Sequence, residues 1–444
     1  MYSNKISDYF KANAIGLGDI VRIERDGISE EGELMPSTEA NSSDVVIIKL
    51  KSGYNIGVEF EGSKISLVRK GNSSISFPTA DVKEEKGLPK VRLIYTGGTI
   101  GSKLDYRTGG VYMLLKPEEL LYEVPELAGV ADIEVKPLYS ISSEDMSYHE
   151  WKGIAEEVAK AYNENAHGAV VTIGTDTMHY AAAALSFMLK DIGMPVVLTG
   201  AQRSSDRGSS DAFMNLYCST VLAAKSDIAG VGICMHKSSS DDECGFMLGT
   251  RARKMHTSRR DAFRPVNSSY MARVASDGSI RYGKMQYKKV QKGRRSFKPM
   301  TNFEPKVALL KAYPNSDPEI IDHYVEKKYK GIIIEGTGLG HTPVSTQHQG
   351  LSWLPNIKNA VDSGLIVGMT SQCLYGRVNP NVYRNLRLLS GAGVLYCEDM
   401  LPEVAYVKLG WLLGNYPEND ARQMLTKNIA GEISDRSRYG EFLL

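Results

Sequence analysis

Cysteine is scarce in this chain, and what there is lies scattered. The five cysteines (Cys218, Cys234, Cys244, Cys373, Cys397) form no Cys-x-x-Cys pair. That argues against a disulfide framework or zinc ribbon and for the reduced thiols of a cytoplasmic protein. Long apolar runs are missing as well: none approaches the ~18 residues a membrane span needs. The segment Met1–Asp8 lacks the apolar core of a signal peptide. Nor is there an excess of one charge, since 53 Lys+Arg against 52 Asp+Glu leave +1. Bulk attraction to a polyanion is thereby excluded, although local patches are not. There is no Gly-x-x-x-x-Gly-Lys-[Ser/Thr] phosphate loop, no Gly-x-Ser-x-Gly elbow and no His-Glu-x-x-His helix, and the eight histidines show no metal spacing. The chain itself is thus expected to bind neither ATP nor a metal.

What is present is a repeated device. Val91–Tyr95 is a short apolar run ending abruptly in Thr96-Gly97-Gly98-Thr99. This pattern predicts a buried strand opening into a tight turn that carries hydroxyls. Ala169–Ile173 repeats it, ending in Gly174-Thr175-Asp176-Thr177, now with a carboxylate attached. In an open α/β sheet ligands bind beyond the C-terminal strand ends, so both turns point at one site. Glycine there allows positive φ and a close approach of the main chain.

At 444 residues the chain exceeds one ordinary domain. Residues 1–75 read as short strands joined by turns, a small all-β, barrel-like domain. Residues 76–90 are a polar linker. From 91 the pattern becomes strand–helix alternation, predicting an α/β fold with a parallel sheet and right-handed crossovers. Residues 91–290 form a larger lobe and 305–444 a smaller one. The connection 291–304 is basic, within a stretch from Lys284 to Lys298 that holds seven cations and no acid. Such a stretch suits phosphate contacts to nucleic acid, or a plain solvated connection.

A hydroxyl attacks only when a base takes its proton and another group orients that base. Lys254 in Arg251-Ala252-Arg253-Lys254 is a candidate, because two neighbouring arginines disfavour its ammonium form. The plainer alternative is an anion-binding cluster. Ser142-Ser143-Glu144-Asp145 suits gripping an ammonium or amide group, or capping a helix that begins near Tyr148.

Taken in order, Thr96-Gly97-Gly98-Thr99-Ile100, Gly174-Thr175-Asp176-Thr177-Met178, Gly200-Ala201-Gln202-Arg203 and Asp399-Met400 resemble the bacterial-type L-asparaginases over residues 91–420. The resemblance implies a two-lobed body with Thr99 as the acyl-forming nucleophile and Thr175, Asp176 and Lys254 as a second triad. It implies that Ser143 and Glu144 hold the substrate's α-carboxylate and α-ammonium, beside Gly98 and Gly174. A loop tyrosine, Tyr106 or else Tyr112, would activate the nucleophile. The added N-terminal module, Leu34-Met35-Pro36 and Asp399–Ala405 are similar to the asparaginase-like subunits of archaeal tRNA-dependent amidotransferases. That likeness implies release of ammonia from glutamine or asparagine. It also implies a partner, the GatE subunit, that uses ATP and Mg on glutamate mischarged on tRNA(Gln). The expected assembly is a homodimer within a heterotetramer, with tRNA bound directly or through the partner. A free-standing asparaginase with an accessory domain is the alternative.

Overall fold

The computed structural model describes residues 2–35, 44–50, 55–71, 87–98, 102–104, 111–113, 124–203, 210–291 and 296–442. The chain opens with helix α1 (Asn4–Ala12) and strands β1 (Ile20–Arg25), β2 (Ile28–Met35), β3 (Val45–Leu50), β4 (Asn55–Glu59) and β5 (Lys64–Arg69). The sheet is antiparallel in the order β4-β3-β2-β1-β5, so β5 returns to the far side of β1. Alternation along β1 turns Val21 and Ile23 inward, onto Ile6 and Phe10 of α1, Leu34, Val46 and Ile48. This module has a core of its own. Buried Asp19 fastens it by accepting from the N–H groups of Gly16 (2.7 Å) and Gly71 (2.8 Å).

The larger lobe begins with β6 (Lys90–Gly97), followed by the hairpin β7 (Ser102–Leu104) and β8 (Val111–Met113), β9 (Asp132–Ile141), α2 (Tyr148–Asn163), β10 (Gly168–Thr172), α3 (Met178–Met188), β11 (Pro195–Thr199), α4 (Ala212–Lys225) and β12 (Ile228–His236). Strands β9, β6, β10, β11 and β12 are parallel neighbours in that order. From β6 the chain steps to β9 on one side, then back to β10 on the other. Strand order therefore reverses between β6 and β10, which opens a crevice at their C-terminal ends. The strands are buried on both faces, so their side chains alternate between two cores. Ile94, Val171 and Leu198 face α2 and α3, while Leu93, Val170 and Val197 face α4.

Sequence periodicity did not single out the antiparallel continuation of this sheet through β13 (Glu243–Leu248), with β14 (Ala252–Lys254), β15 (Phe263–Pro265), β16 (Ala272–Ala275) and β17 (Ile280–Tyr282) following. Strands β13, β16 and β17 extend the sheet, and β14 pairs with β15 apart from it. The strands β14 to β17 have three or four residues each, too short to show a period. Part of the basic stretch is tied down. β18 (Lys288–Lys289) pairs with β12, Lys288 pairs with Asp191, and Lys289 lies 3.4 Å from Asp227. Residues 292–295 lie outside the described residues.

The smaller lobe runs β19 (Val307–Lys311), α5 (Glu319–Glu326), β20 (Gly331–Gly336), α6 (Leu354–Asp362), β21 (Ile366–Ser371), α7 (Arg384–Gly391), β22 (Leu395–Tyr396), α8 (Pro402–Asn415) and α9 (Glu418–Met424). Its four strands are parallel and sequential, β19-β20-β21-β22. The lobes share one core where α8 lies against α3, with Trp411 stacked on Phe187 at 5.5 Å between ring centroids.

Candidate active site

Four segments meet at the reversal between β6 and β10, and glycines set how closely. Gly98 has φ of 84°, and a Cβ there would sit 2.5 Å from the Gly174 nitrogen. A Cβ on Gly174 would in turn lie 2.8 Å from the Ser143 Cβ, and one on Gly200 would lie 3.0 Å from the Thr175 Cγ2. The turns after β6, β10 and β11 and the turn holding Ser143 are thus in van der Waals contact. Hydroxyls pin them: Thr96 Oγ1 donates to the Thr172 carbonyl (2.8 Å) and Thr177 Oγ1 to the Ser143 carbonyl (2.6 Å).

Lys254 ends β14 and enters this cluster. Its Nζ lies 2.9 Å from Thr175 Oγ1 and 2.6 Å from Asp176 Oδ1. Thr175 is buried, the Lys254 side chain is one-tenth exposed, and Asp176 is 69% exposed. The carboxylate therefore stands at the open rim, with the hydroxyl below it. The 2.9 Å contact serves two states, an ammonium donating to the threonine oxygen or a neutral amine receiving the threonine proton.

The two arginines beside Lys254 are not bare charges. Arg251 pairs with Asp399 at 3.0 Å and Arg253 with Glu403 at 2.7 Å, both carboxylates buried in the other lobe. Each guanidinium is thus matched by a buried carboxylate, while the Lys254 amine meets Asp176. His179, in the first turn of α3, is held neutral: burial, then the charges of Arg253 and Lys254, push it down to about 3.

Ser142–Asp145 does not cap α2. The cap is Ser147, whose Oγ accepts from His149 N–H while the Glu150 carboxylate accepts from Ser147 N–H at 2.7 Å. Ser143–Asp145 is instead a separate 3₁₀ turn, with Ser143 buried against Gly174 and Glu144 exposed. Thr99 and Tyr106 lie outside the described residues, and Tyr112 falls in β8. Sequence reasoning overlooked the support beneath Gly200–Arg203. Buried Asp211 accepts from the N–H groups of Gln202 and Arg203 (both 3.0 Å), and Asn215 Nδ2 donates to the Gly200 carbonyl (2.9 Å). Asp211 stands four residues before Asn215 at the head of α4, a spacing that places both on one helix face. Among the described residues no group of three or more His, Cys, Asp or Glu is placed to hold a metal. No described helix is long and apolar enough to cross a membrane.

A glycine-built crevice at a sheet reversal, where a lysine amine meets a threonine hydroxyl and a carboxylate, fits an asparaginase-type amidohydrolase body. Comparison agrees: residues 90–287 match the model of the asparaginase N-terminal domain and 306–425 that of the glutaminase/asparaginase C-terminal domain. The L-asparaginase of Thermococcus kodakarensis superposes with a TM-score of 0.67 at 30% identity, covering 78% of this chain and 99% of that one. Residues 15–68 match the GatD N-terminal domain, which simple asparaginases do not explain. Over their full lengths, the GatD subunit of the Pyrococcus furiosus glutamyl-tRNA(Gln) amidotransferase is 48% identical (99% of this chain, 100% of that one) and that of T. kodakarensis 47% (99% of each). The chain belongs to the GatD family of glutamyl-tRNA(Gln) amidotransferase subunits.

Proposed function

We propose that this crevice releases ammonia from the side-chain amide of glutamine or asparagine by acyl transfer to a threonine. The observation that carries the reading is the single lysine amine bonded to both Thr175 and Asp176 at the sheet reversal. Thr99, next to Gly98, attacks the amide carbon, and backbone N–H groups of the glycine turns stabilise the oxyanion. The C–N bond breaks, nitrogen takes a proton, and ammonia leaves. Water then cleaves the ester, with Lys254 taking its proton and Asp176 orienting the amine. Thr175 is assigned with Thr99 as the pair of threonines that carries the acyl transfer. Ser143 and Glu144 grip the substrate's α-carboxylate and α-ammonium, and Tyr106 or Tyr112 activates the nucleophile. The ammonia passes to a cytoplasmic partner, the GatE subunit, which uses ATP and Mg to amidate glutamate on tRNA(Gln). No cofactor is needed in this chain. Homodimerisation within a heterotetramer completes the assembly, and tRNA is met directly or through the partner.

The test is ammonia release from glutamine by the purified chain, alone and then with GatE, ATP and Glu-tRNA(Gln). Strong stimulation only with all partners present is the expected result, and Thr99→Val should abolish it while partner binding persists. A free-standing asparaginase or glutaminase, favoured by the likeness to solved asparaginases, would instead turn over amide alone and ignore the partner and tRNA.

A further inference from the structure

The two arginines that flank Lys254 reach the same neighbouring lobe but are built differently. Arg251 is bonded at all three nitrogens: its Nε donates to the Gly431 carbonyl, Nη1 to Asp399 and Nη2 to Ser434 Oγ, while Asp399 Oδ1 accepts from Ser434 N–H. That pair is a fastener. Arg253 reaches Glu403 Oε2, in the first turn of α8, at 2.7 Å. The Glu403 side chain is only 2% exposed, yet its other oxygen, Oε1, is buried without a partner among the described residues. An orphan carboxylate oxygen is expensive to keep. It sits one residue, through Arg253, from the proposed base.

We propose that Glu403 is a positioning residue for Lys254. Acting through Arg253, it holds the guanidinium in place and cancels its charge, so that the smaller lobe tunes the lysine of the larger one. This rests on the reading of Lys254 as the base. The groups facing Lys254 support it. Asp176 and Thr175 come from the turn after β10, and His179 comes from α3, kept neutral in part by Arg253 and Lys254. Arg253 lies on its own strand, and across the ladder stands Arg264, itself bonded to Asp261 at 2.6 Å. Glu403 enters from α8; burial pushes its carboxyl up, the Arg253 guanidinium opposes that by favouring the charged form, and the charge of Glu335 at the end of β20 adds to the upward push. Removing the Glu403 charge leaves one unbalanced guanidinium beside the amine. By Coulomb's law that must favour the neutral lysine.

The experiment is the pH profile of ammonia release by the full chain in its active complex, for wild type, Glu403→Gln, Arg253→Met/Glu403→Gln and Lys254→Met. For Glu403→Gln the expected result is kcat lowered about tenfold, KM within about twofold, and the acid limb moved to lower pH. The double variant, which removes both charges, should return the acid limb to its wild-type position even if kcat stays low. A Glu403→Gln enzyme with wild-type kcat and an unmoved limb overturns the proposal. So does a loss of kcat that follows a loss of melting temperature with both limbs in place, for that is a structural role only. Should Glu403→Gln fail to fold, a double variant with a displaced acid limb overturns it equally. An active Lys254→Met would overturn the base assignment itself and this proposal with it. An inactive one beside a normal Glu403→Gln overturns the proposal alone.

Discussion

The two lobes end their parallel strands in similar glycine-rich turns, yet those turns do different things. In the smaller lobe β20 ends in Gly336-Thr337-Gly338-Leu339-Gly340, and that turn folds back on itself and is tied to the end of β21, where Ser371 Oγ donates to the Gly338 carbonyl at 2.6 Å. Thr337 N–H donates to the His341 carbonyl at 2.9 Å, and a Cβ on Gly336 would meet the Gly340 Cα at 2.9 Å. In the larger lobe Gly98 meets not its own turn but Gly174, on the neighbouring strand, and Gly174 meets Ser143. The difference is strand order. The smaller sheet runs sequentially, so successive connections leave in the same direction. The larger reverses at β6 and β10, where connections part and leave room for a ligand between them. Turn composition supplies permissive backbone; the reversal makes it a site.

That contrast can be broken from its strong side first. Lys254→Met or Thr175→Val should lower ammonia release by roughly a hundredfold or more, as loss of a positioned base does, with the far-ultraviolet circular dichroism spectrum unchanged. Wild-type activity in both variants would place the chemistry elsewhere. Gly98→Ala comes next. It forces a side chain to positive φ and to 2.5 Å from the Gly174 nitrogen, and should lower unfolding free energy by on the order of 3 kcal/mol together with activity. Gly338→Ala is the matched control. Its φ is +52°, but nothing lies within 4 Å of the added Cβ, so only about 1 kcal/mol of backbone strain is expected. Equal losses in urea unfolding for the two alanines would erase the distinction between the lobes.

The smallest effect concerns pH. Arg259 foremost, then Arg264, hold the Asp261 carboxyl down to about 2, against a weaker upward push from burial. Its folded form therefore binds its proton less readily than the unfolded chain does. The stability it contributes is present above about pH 4 and is lost as pH falls toward about 2. The urea midpoint advantage of wild type over Asp261→Asn should accordingly shrink between about pH 4 and about pH 2. A constant gap would mean that Asp261 acts by packing rather than by charge.

Much of the architecture is legible in the sequence. The hydroxyl-bearing turns after β6 and β10, the alternation of β1, and the change from a two-residue to a strand–helix period all depend on neighbours within a few residues. The α2 cap lies a few positions beyond the serines that the sequence offered for it. Ser142, Ser143 and Ser147 all carry a capping side chain, and only backbone geometry selects Ser147. Asp211 and Asn215 gave no signal, because an acid and an amide at a helix start resemble any other cap.

Local chemistry alone thus determined that this chain has a small β module, an α/β body and two glycine–threonine turns. Only the tertiary structure decided what those turns face. Lys254 stands 79 residues from the Thr175 hydroxyl it meets, and Arg253 stands 150 residues from Glu403. Periodicity and turn preference are set over a few residues. Pairings of this range are set by the order of strands in a sheet and by the burial of α8 against α3, neither of which has a local signature.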